Sequence, residues 1–290
     1  MTGMTNASGL EATLDLPLPR LVEGRFSNLT AFTDEALFEA CGVRIAFTER
    51  SGGASEPPYD SLNLGLHVND DPESVRENRR RVCEAFGIDP SRLIVPNQVH
   101  GADVAVCENA GDIAETREFA AEGSDAVAVG CDDVAALLCF ADCTPVIAVS
   151  PTGRFAVAHA GWRGVVGGIA ASCIERLARE DGAKAPDQQR EFAAGYNVYI
   201  GPHIHDCCFE VGAEVEQRFA ELFGQSCVRP SRHVSMLEAL RVQLAAVGVD
   251  PARICDAGIC TQCNPQQYFS YRASGGTCGR HGAIAFRKEA

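Results

Sequence analysis

Six short apolar runs crowd the middle of the chain: LIVP, ADVAVC, DAVAV, VAALLCF, PVIAVS and RFAVAH, between residues 93 and 159. Each is too short for a core helix and is bounded by polar or glycine-containing turns, so each reads as a β-strand. Strands that arrive in succession must pair with one another before any helix can cover them. VRIAF (43–47) adds a strand that runs into a Gly-rich turn, and AAGYNVYIGPHI adds another.

Helical patterns stand before and after this block. DDPESVRENRRRVCEAFG has Asp71 to cap, Pro72 in the first turn, Val75, Val82 and Phe86 on one face, and Gly87 to stop it. GWRGVVGGIAASCIERLARE reads as one helix, and GAEVEQRFAELFG and HVSMLEALRVQLAAVG as two more. The polar stretch REDGAKAPDQQREF is expected to be an exposed loop. Runs of strands plus separate helices give an α+β class: a single domain with mixed β-sheets flanked by helices. No composition change compels a boundary, so residues 26–290 are read as one catalytic domain. Residues 1–25 lack a clear period and are read as a poorly ordered tail or an edge extension.

A net charge of −14 and a pI near 4.9 argue against a nucleic-acid polymer as partner, since phosphate backbones need a basic surface. A small anionic substrate is still allowed, because a local basic pocket can lie inside an acidic envelope. The longest apolar run, VAALLCFADCTPVIAV, is broken by Asp142 and Pro145 and is too short to span a bilayer. The N-terminal stretch lacks a basic start followed by an apolar core, so a cytoplasmic location is expected. The fourteen cysteines then read as reduced thiols, with Cys41, Cys139 and Cys173 acting as small buried apolar residues.

Three strings carry ligand chemistry: PNQVHGADV with His100, LCFADCTPVIAV with Asp142 and Cys143, and FAVAHAGWRG with His159. Two imidazoles and one thiolate are a zinc-type set, and three protein ligands leave a fourth position for water or substrate. The strings are far apart, and a His or Cys at a strand end is also commonly structural, so spacing leaves both readings open.

NQVHGADV, ADCTPVIAV, AHAGWRG, GPHIHDCCFEVG and CTQCNPQQYFSYRASGG occur in the order seen in the laccase-like polyphenol oxidase family. FTERSGGASEPPYDSLNLGLHVNDDPESVRENRRRV also resembles that family's N-terminal signature. Its bacterial members are described as purine nucleoside phosphorylases with adenosine deaminase activity, and some as peptidoglycan-editing factors. The resemblance implies one α+β domain with one zinc held by His100, Cys143 and His159. The chain departs from the family at SYRASGGTCGRHGAIAF, which has extra small residues and Cys278.

Phosphorolysis needs phosphate held near the ribose. Arg50 beside SGG and Arg163 after the glycine turn are candidate phosphate binders, and Asn63 is a pocket candidate that equally suits a turn. Deamination needs a proton-handling group, for which Asp142 is a candidate by adjacency to Cys143. Trp162 offers a flat face to a purine or packs beneath the turn. Purine nucleosides and phosphate are the expected partners, and a monomer is the expected state.

Two other enzyme readings stand. Cys143 as nucleophile with a histidine base would suit amide hydrolysis in peptidoglycan-precursor editing. A copper-dependent polyphenol oxidase would need several Cu2+ ions, which seven histidines with one His-x-His pair do not suit. A non-enzymatic metal-dependent scaffold is the remaining alternative. HIHDCCFE, with His203, His205, Cys207 and Cys208, is a candidate second metal site. CDAGICTQC matches part of a plant-type iron–sulfur run, a match read as coincidence.

Overall fold

The computed structural model describes residues 15–288. The chain enters through a hairpin of β1 (Val22–Phe26) and β2 (Leu29–Thr33), then α1 (Glu35–Cys41) and β3 (Val43–Thr48). Helix α2 (Pro72–Phe86) begins and ends on the signals in the sequence. The Asp71 carboxylate accepts from the N–H groups of Glu73 and Ser74, and Gly87 closes the helix in the left-handed region at φ 66°.

The strand block follows: β4 (Leu93–Ile94), β5 (Val104–Cys107), helix α3 (Ile113–Gly123), β6 (Ala126–Val129), β7 (Ala135–Phe140), β8 (Thr144–Val149) and β9 (Phe155–Ala160). Helices α4 (Trp162–Gly167), α5 (Ile169–Glu180) and α6 (Pro186–Ala193) lead to β10 (Asn197–Ile200). The rest comprises α7 (Ala213–Phe223), the short pair β11 (Val228–Arg229) and β12 (His233–Val234), α8 (Met236–Ala246), β13 (Ile254–Asp256) and β14 (His281–Arg287).

Two six-stranded sheets form, ordered β1-β2-β3-β14-β7-β4 and β13-β10-β8-β9-β6-β5. Both are mixed, because β4 with β7, β5 with β6 and β10 with β13 pair in parallel while the other pairs are antiparallel. The single α+β domain with mixed sheets is therefore what the chain adopts.

Strand parity sorts the core into layers. On β9, Phe155 and Val157 point between the sheets, where they meet Ile147, Phe47, Leu138 and Phe140, while Ala156, Ala158 and Ala160 face α5 and its Ile169, Cys173 and Leu177. Bulk on one face fills the gap between sheets, and alanine on the other lets a helix come close. The outer face of the first sheet is covered by α2 through Val82, Cys83 and Phe86. Strands β7, β8 and β9 are buried along their whole length, which is why they read as unbroken apolar runs without alternation.

Four local expectations need correction. Leu16 is buried and Val22–Phe26 form an edge strand, so of the two readings of residues 1–25 the edge extension holds for the described part and the poorly ordered tail does not; residues 1–14 lie outside the described residues. The single helix expected after Gly161 is two, because Gly168 sits at φ 86° and its N–H caps Gly164 and Val165. Part of the expected loop REDGAKAPDQQREF is helix α6, started by Pro186 and held by Phe192 and Ala193 against the core. Cys41 is only half-buried, whereas Cys139 and Cys173 are buried as expected.

Candidate metal centre

Three elements of different sequence origin meet at one end of the sandwich. His159 lies on the inter-sheet face of β9, and Cys143 immediately precedes β8, whose Pro145 pairs with His159. His100 comes from the loop between β4 and β5. One ligand atom from each of His100, Cys143 and His159 lies within 4.8 Å of the others. Cys143 Sγ is 3.9 Å from His100 Nε2, near the roughly 3.5 Å that a shared tetrahedral ion imposes on a sulfur and a nitrogen.

The arrangement is organised by Asp125, a residue not singled out in the sequence. Its fully buried carboxylate accepts the successive N–H groups of Val99 (3.1 Å), His100 (3.0 Å) and Gly101 (2.6 Å). These three donors form an anion nest that fixes the backbone of His100, which is left-handed at φ 62°. The same carboxylate receives His159 Nδ1–H at 2.7 Å, which leaves Nε2 for an ion. Burial opposes the ionised form of Asp125, but His159 and the backbone donors outweigh it and hold the carboxyl below its ordinary range.

Electrostatics completes the group. Burial raises the Cys143 thiol, yet His159 and His100 overcome it and bring the pKa down to about 6. Burial lowers His159, yet Cys143 and Asp125 overcome it and raise the ring to about 9. Between those values the ion-free group is a thiolate beside an imidazolium. Gly161 is required here, since a Cβ would lie 3.0 Å from the His100 ring and 3.3 Å from Cys143 Sγ.

The group forms one end of a cavity of about 450 Å³. Its wall includes Trp162, Arg163, Phe209, Tyr271, Arg272 and Arg280, so three guanidinium groups lie in one cleft of a chain with net charge −14. Trp162 packs against the helical core and also lines the cavity, with the Arg163 guanidinium 4.3 Å from its ring centroid. His67 also lines the cavity; desolvation first, then Arg280 and other cations, lower its pKa.

Three other candidates sit differently. Asp142 reaches the cavity wall, but its Oδ1 accepts from Thr261 Oγ1 (2.7 Å) and its Oδ2 from the N–H of Arg272 (2.7 Å), so the carboxylate ties down the C-terminal loop. Arg50 does not line this cavity: it clamps Asp60 O, Asp60 Oδ1 and Pro265 O and stacks 4.4 Å from the Phe269 centroid. Asn63 is likewise structural, with Oδ1 accepting from Gly65 and Arg280 N–H and Nδ2 donating to Asp70. Both serve the cavity at one remove, by holding the loops that carry its wall.

Among the described residues two further ligand-type groups occur: His203, His205 and Asp256, and Cys207, Cys208, Cys260 and Cys263. The HIHDCCFE string is thus divided between two places. The iron–sulfur-like run is divided too, since Cys255 packs beside the inter-sheet core.

Fold and site define a class: a two-sheet α+β domain with a His/Cys/His group of metal-ligand type opening into a cationic cleft. The chain belongs to the family described as multi-copper polyphenol oxidoreductase laccase, whose model matches residues 44–288. It is 36% identical over 260 residues to purine nucleoside phosphorylase YlmD of Geobacillus stearothermophilus, covering 86% of this chain and 91% of that one. It is 33% identical over 258 residues to adenosine deaminase RL5 of an unknown prokaryotic organism, covering 85% and 95%. The crystal structure of YlmD from G. stearothermophilus superposes with a TM-score of 0.80 at 32% identity, covering 93% of this chain and all of that one. No helix among the described residues is long and apolar enough to cross a membrane.

Proposed function

We propose that this chain is a zinc-dependent purine nucleoside phosphorylase acting on adenosine, inosine, guanosine and methylthioadenosine, with adenosine deaminase activity. Names of its relatives support the reaction class. The observation that carries it is the pairing of the His100/Cys143/His159 group with Arg163, Arg272 and Arg280 in one cleft. Two imidazoles and a thiolate suit a borderline-soft divalent ion better than a hard one. His100, Cys143 and His159 would hold such an ion, which would supply Lewis acidity in the cleft.

The chain's own residues do the rest. Arg163 and Arg280 bind phosphate oxygens, because guanidinium forks match them and the cleft excludes part of the competing water. Phe209, Tyr271 and Trp162 give the purine apolar and aromatic walls. Asp125 fixes both histidines, and Asp142 holds the wall loop through Thr261 and Arg272.

One observation favours a second reading. Cys143 Sγ lies 3.9 Å from His100 Nε2, an approach that also suits a cysteine nucleophile with a histidine base and hence amide hydrolysis. Metal analysis, paired with phosphate-dependent release of base from inosine and adenosine, separates the two. Cys143→Ala is expected to lose both the ion and the activity. An ion retained in that variant overturns the ligand set, and full turnover by metal-free wild-type protein establishes the nucleophile instead.

A further inference from the structure

We propose a second, structural metal site formed by Cys207, Cys208, Cys260 and Cys263, holding one zinc-class divalent ion through four thiolates.

The four cysteines come from the two loops that follow β10 and β13 at the edge of the second sheet. His203 and Cys260 form a parallel bridge, with the His203 N–H donating to Ile259 O and the Thr261 N–H to His203 O. From this shared anchor each loop makes a turn. The first turn brings the N–H groups of Cys208 and Phe209 to His205 O and presents Cys207 and Cys208; the second brings the Asn264 N–H to Cys260 O and presents Cys260 and Cys263. Cys260-Thr-Gln-Cys263 has the two-residue gap of a zinc-binding half-site.

The sulfur spacing decides between the chemistries open to such a group. Sγ of Cys207 is 3.6 Å from that of Cys208 and 3.8 Å from that of Cys263, and Cys208 to Cys263 is 3.4 Å. Cys260 Sγ completes a set in which all four lie within 4.8 Å of one another. Four sulfurs about 2.3 Å from one tetrahedral ion stand about 3.8 Å apart. A disulfide needs about 2.05 Å. A four-iron cluster gives each thiolate its own iron, which spreads the sulfurs further than one shared ion does. The buried Cys260 also accepts the His205 N–H at 3.4 Å, an N–H···S contact that partly offsets thiolate charge.

Four protein ligands leave no vacant position, so the site is closed and its work is structural. What it would staple is specific. The first loop carries Ile204 and Phe209, and the second leads into Tyr271 and Arg272; all four residues line the cavity. The ion would fix two walls of the cleft to one another without touching substrate.

Cobalt loading and metal counting test this on the full chain. Wild-type protein, purified reduced, is expected to hold one more metal equivalent than the Cys207→Ser/Cys263→Ser double variant. The Cys143→Ala variant should still bind Co2+ with intense sulfur-to-cobalt charge transfer and tetrahedral visible bands of a four-thiolate site, and the double variant should lose those bands. Cys207 and Cys263 are exposed, so their replacement leaves the apolar core unchanged. The wild-type cobalt spectrum needs no variant to fold. An unchanged metal count and spectrum in the double variant would overturn the site. So would a Cys207–Cys208 or Cys208–Cys263 disulfide in place of an ion in reduced wild-type protein. Iron–sulfur absorption in the protein as isolated would overturn the choice of ion.

Discussion

The two sulfur-containing groups of this molecule differ in almost every physical respect. The first draws His100, Cys143 and His159 from positions 16 to 59 residues apart and buries His159 beneath a second sheet. A carboxylate orients the His159 ring and fixes the His100 backbone, and the group faces a cleft with three arginines. The second takes two adjacent cysteines and a Cys-x-x-Cys pair from two short turns near the surface, with no carboxylate and no vacant corner. An ion with a free coordination position in a cleft is placed to react, and an ion enclosed by four thiolates is placed to hold.

That contrast can be broken most decisively at Cys143. Replacing it with Ala should lower phosphate-dependent base release on the order of 10³-fold, the rate equivalent of several kcal/mol of Lewis-acid stabilisation. The four-thiolate cobalt spectrum should persist. Asp125→Asn comes next. It keeps the shape but weakens the acceptor for His159 and for the nest, so metal affinity at the first group, measured by chelator competition, should fall about 10–100-fold.

Arg163→Ala should raise the phosphate KM about tenfold, the cost of one charge-assisted hydrogen bond of about 1.5–3 kcal/mol. Deamination needs no phosphate and should change less, which kinetics with both reactions will show. For the Cys207→Ser/Cys263→Ser variant the expected change in turnover is under tenfold, with a Tm lower by a few degrees. A full loss of activity at unchanged first-group metal would place the second group in the chemistry and end the contrast.

The smallest effect concerns His281, which pairs with Phe140 across β14 and β7 and is fully buried. Burial chiefly, with Arg280 and Arg50 adding to it, lowers its pKa to about 3, against about 6.5 for an unfolded histidine. The folded state therefore refuses a proton that the unfolded state accepts. Stability from this source is complete above about pH 6.5 and drains away as the pH falls towards 3, by roughly 1–2 kcal/mol at pH 5. His281→Phe should flatten the dependence of Tm on pH between 7 and 4; an unchanged slope would show that the ring does not titrate in this way.

Much of the fold was legible because the signals are local. Asp71, Pro72 and Gly87 bound α2, and six apolar runs became six strands. Strand β14 carries little local signal, because HGAIAF follows a glycine-rich turn with no polar alternation and its pairing with β3 and β7 is long-range. Helix α3 drew no notice for a similar reason: its buried face is only Ile113, Thr116 and Ala120. At the site, ligand types were readable, but Asp125 was not. Nothing in GSDA announces a carboxylate that collects three N–H groups from a loop about 25 residues earlier and a ring N–H from a strand 34 residues later.

The sequence by itself determined the parts: where most strands and helices start and stop, which side chains are of metal-ligand type, and the net charge of −14. Only the tertiary structure decided which parts meet. Parity along a strand is a local property, but a strand's neighbour is chosen by burial over the whole sandwich. That choice brought His159 level with Pro145, and hence beside Cys143. It also set Cys260 and Cys263 against Cys207 and Cys208 rather than with Cys255, although Cys255 is the nearer in sequence.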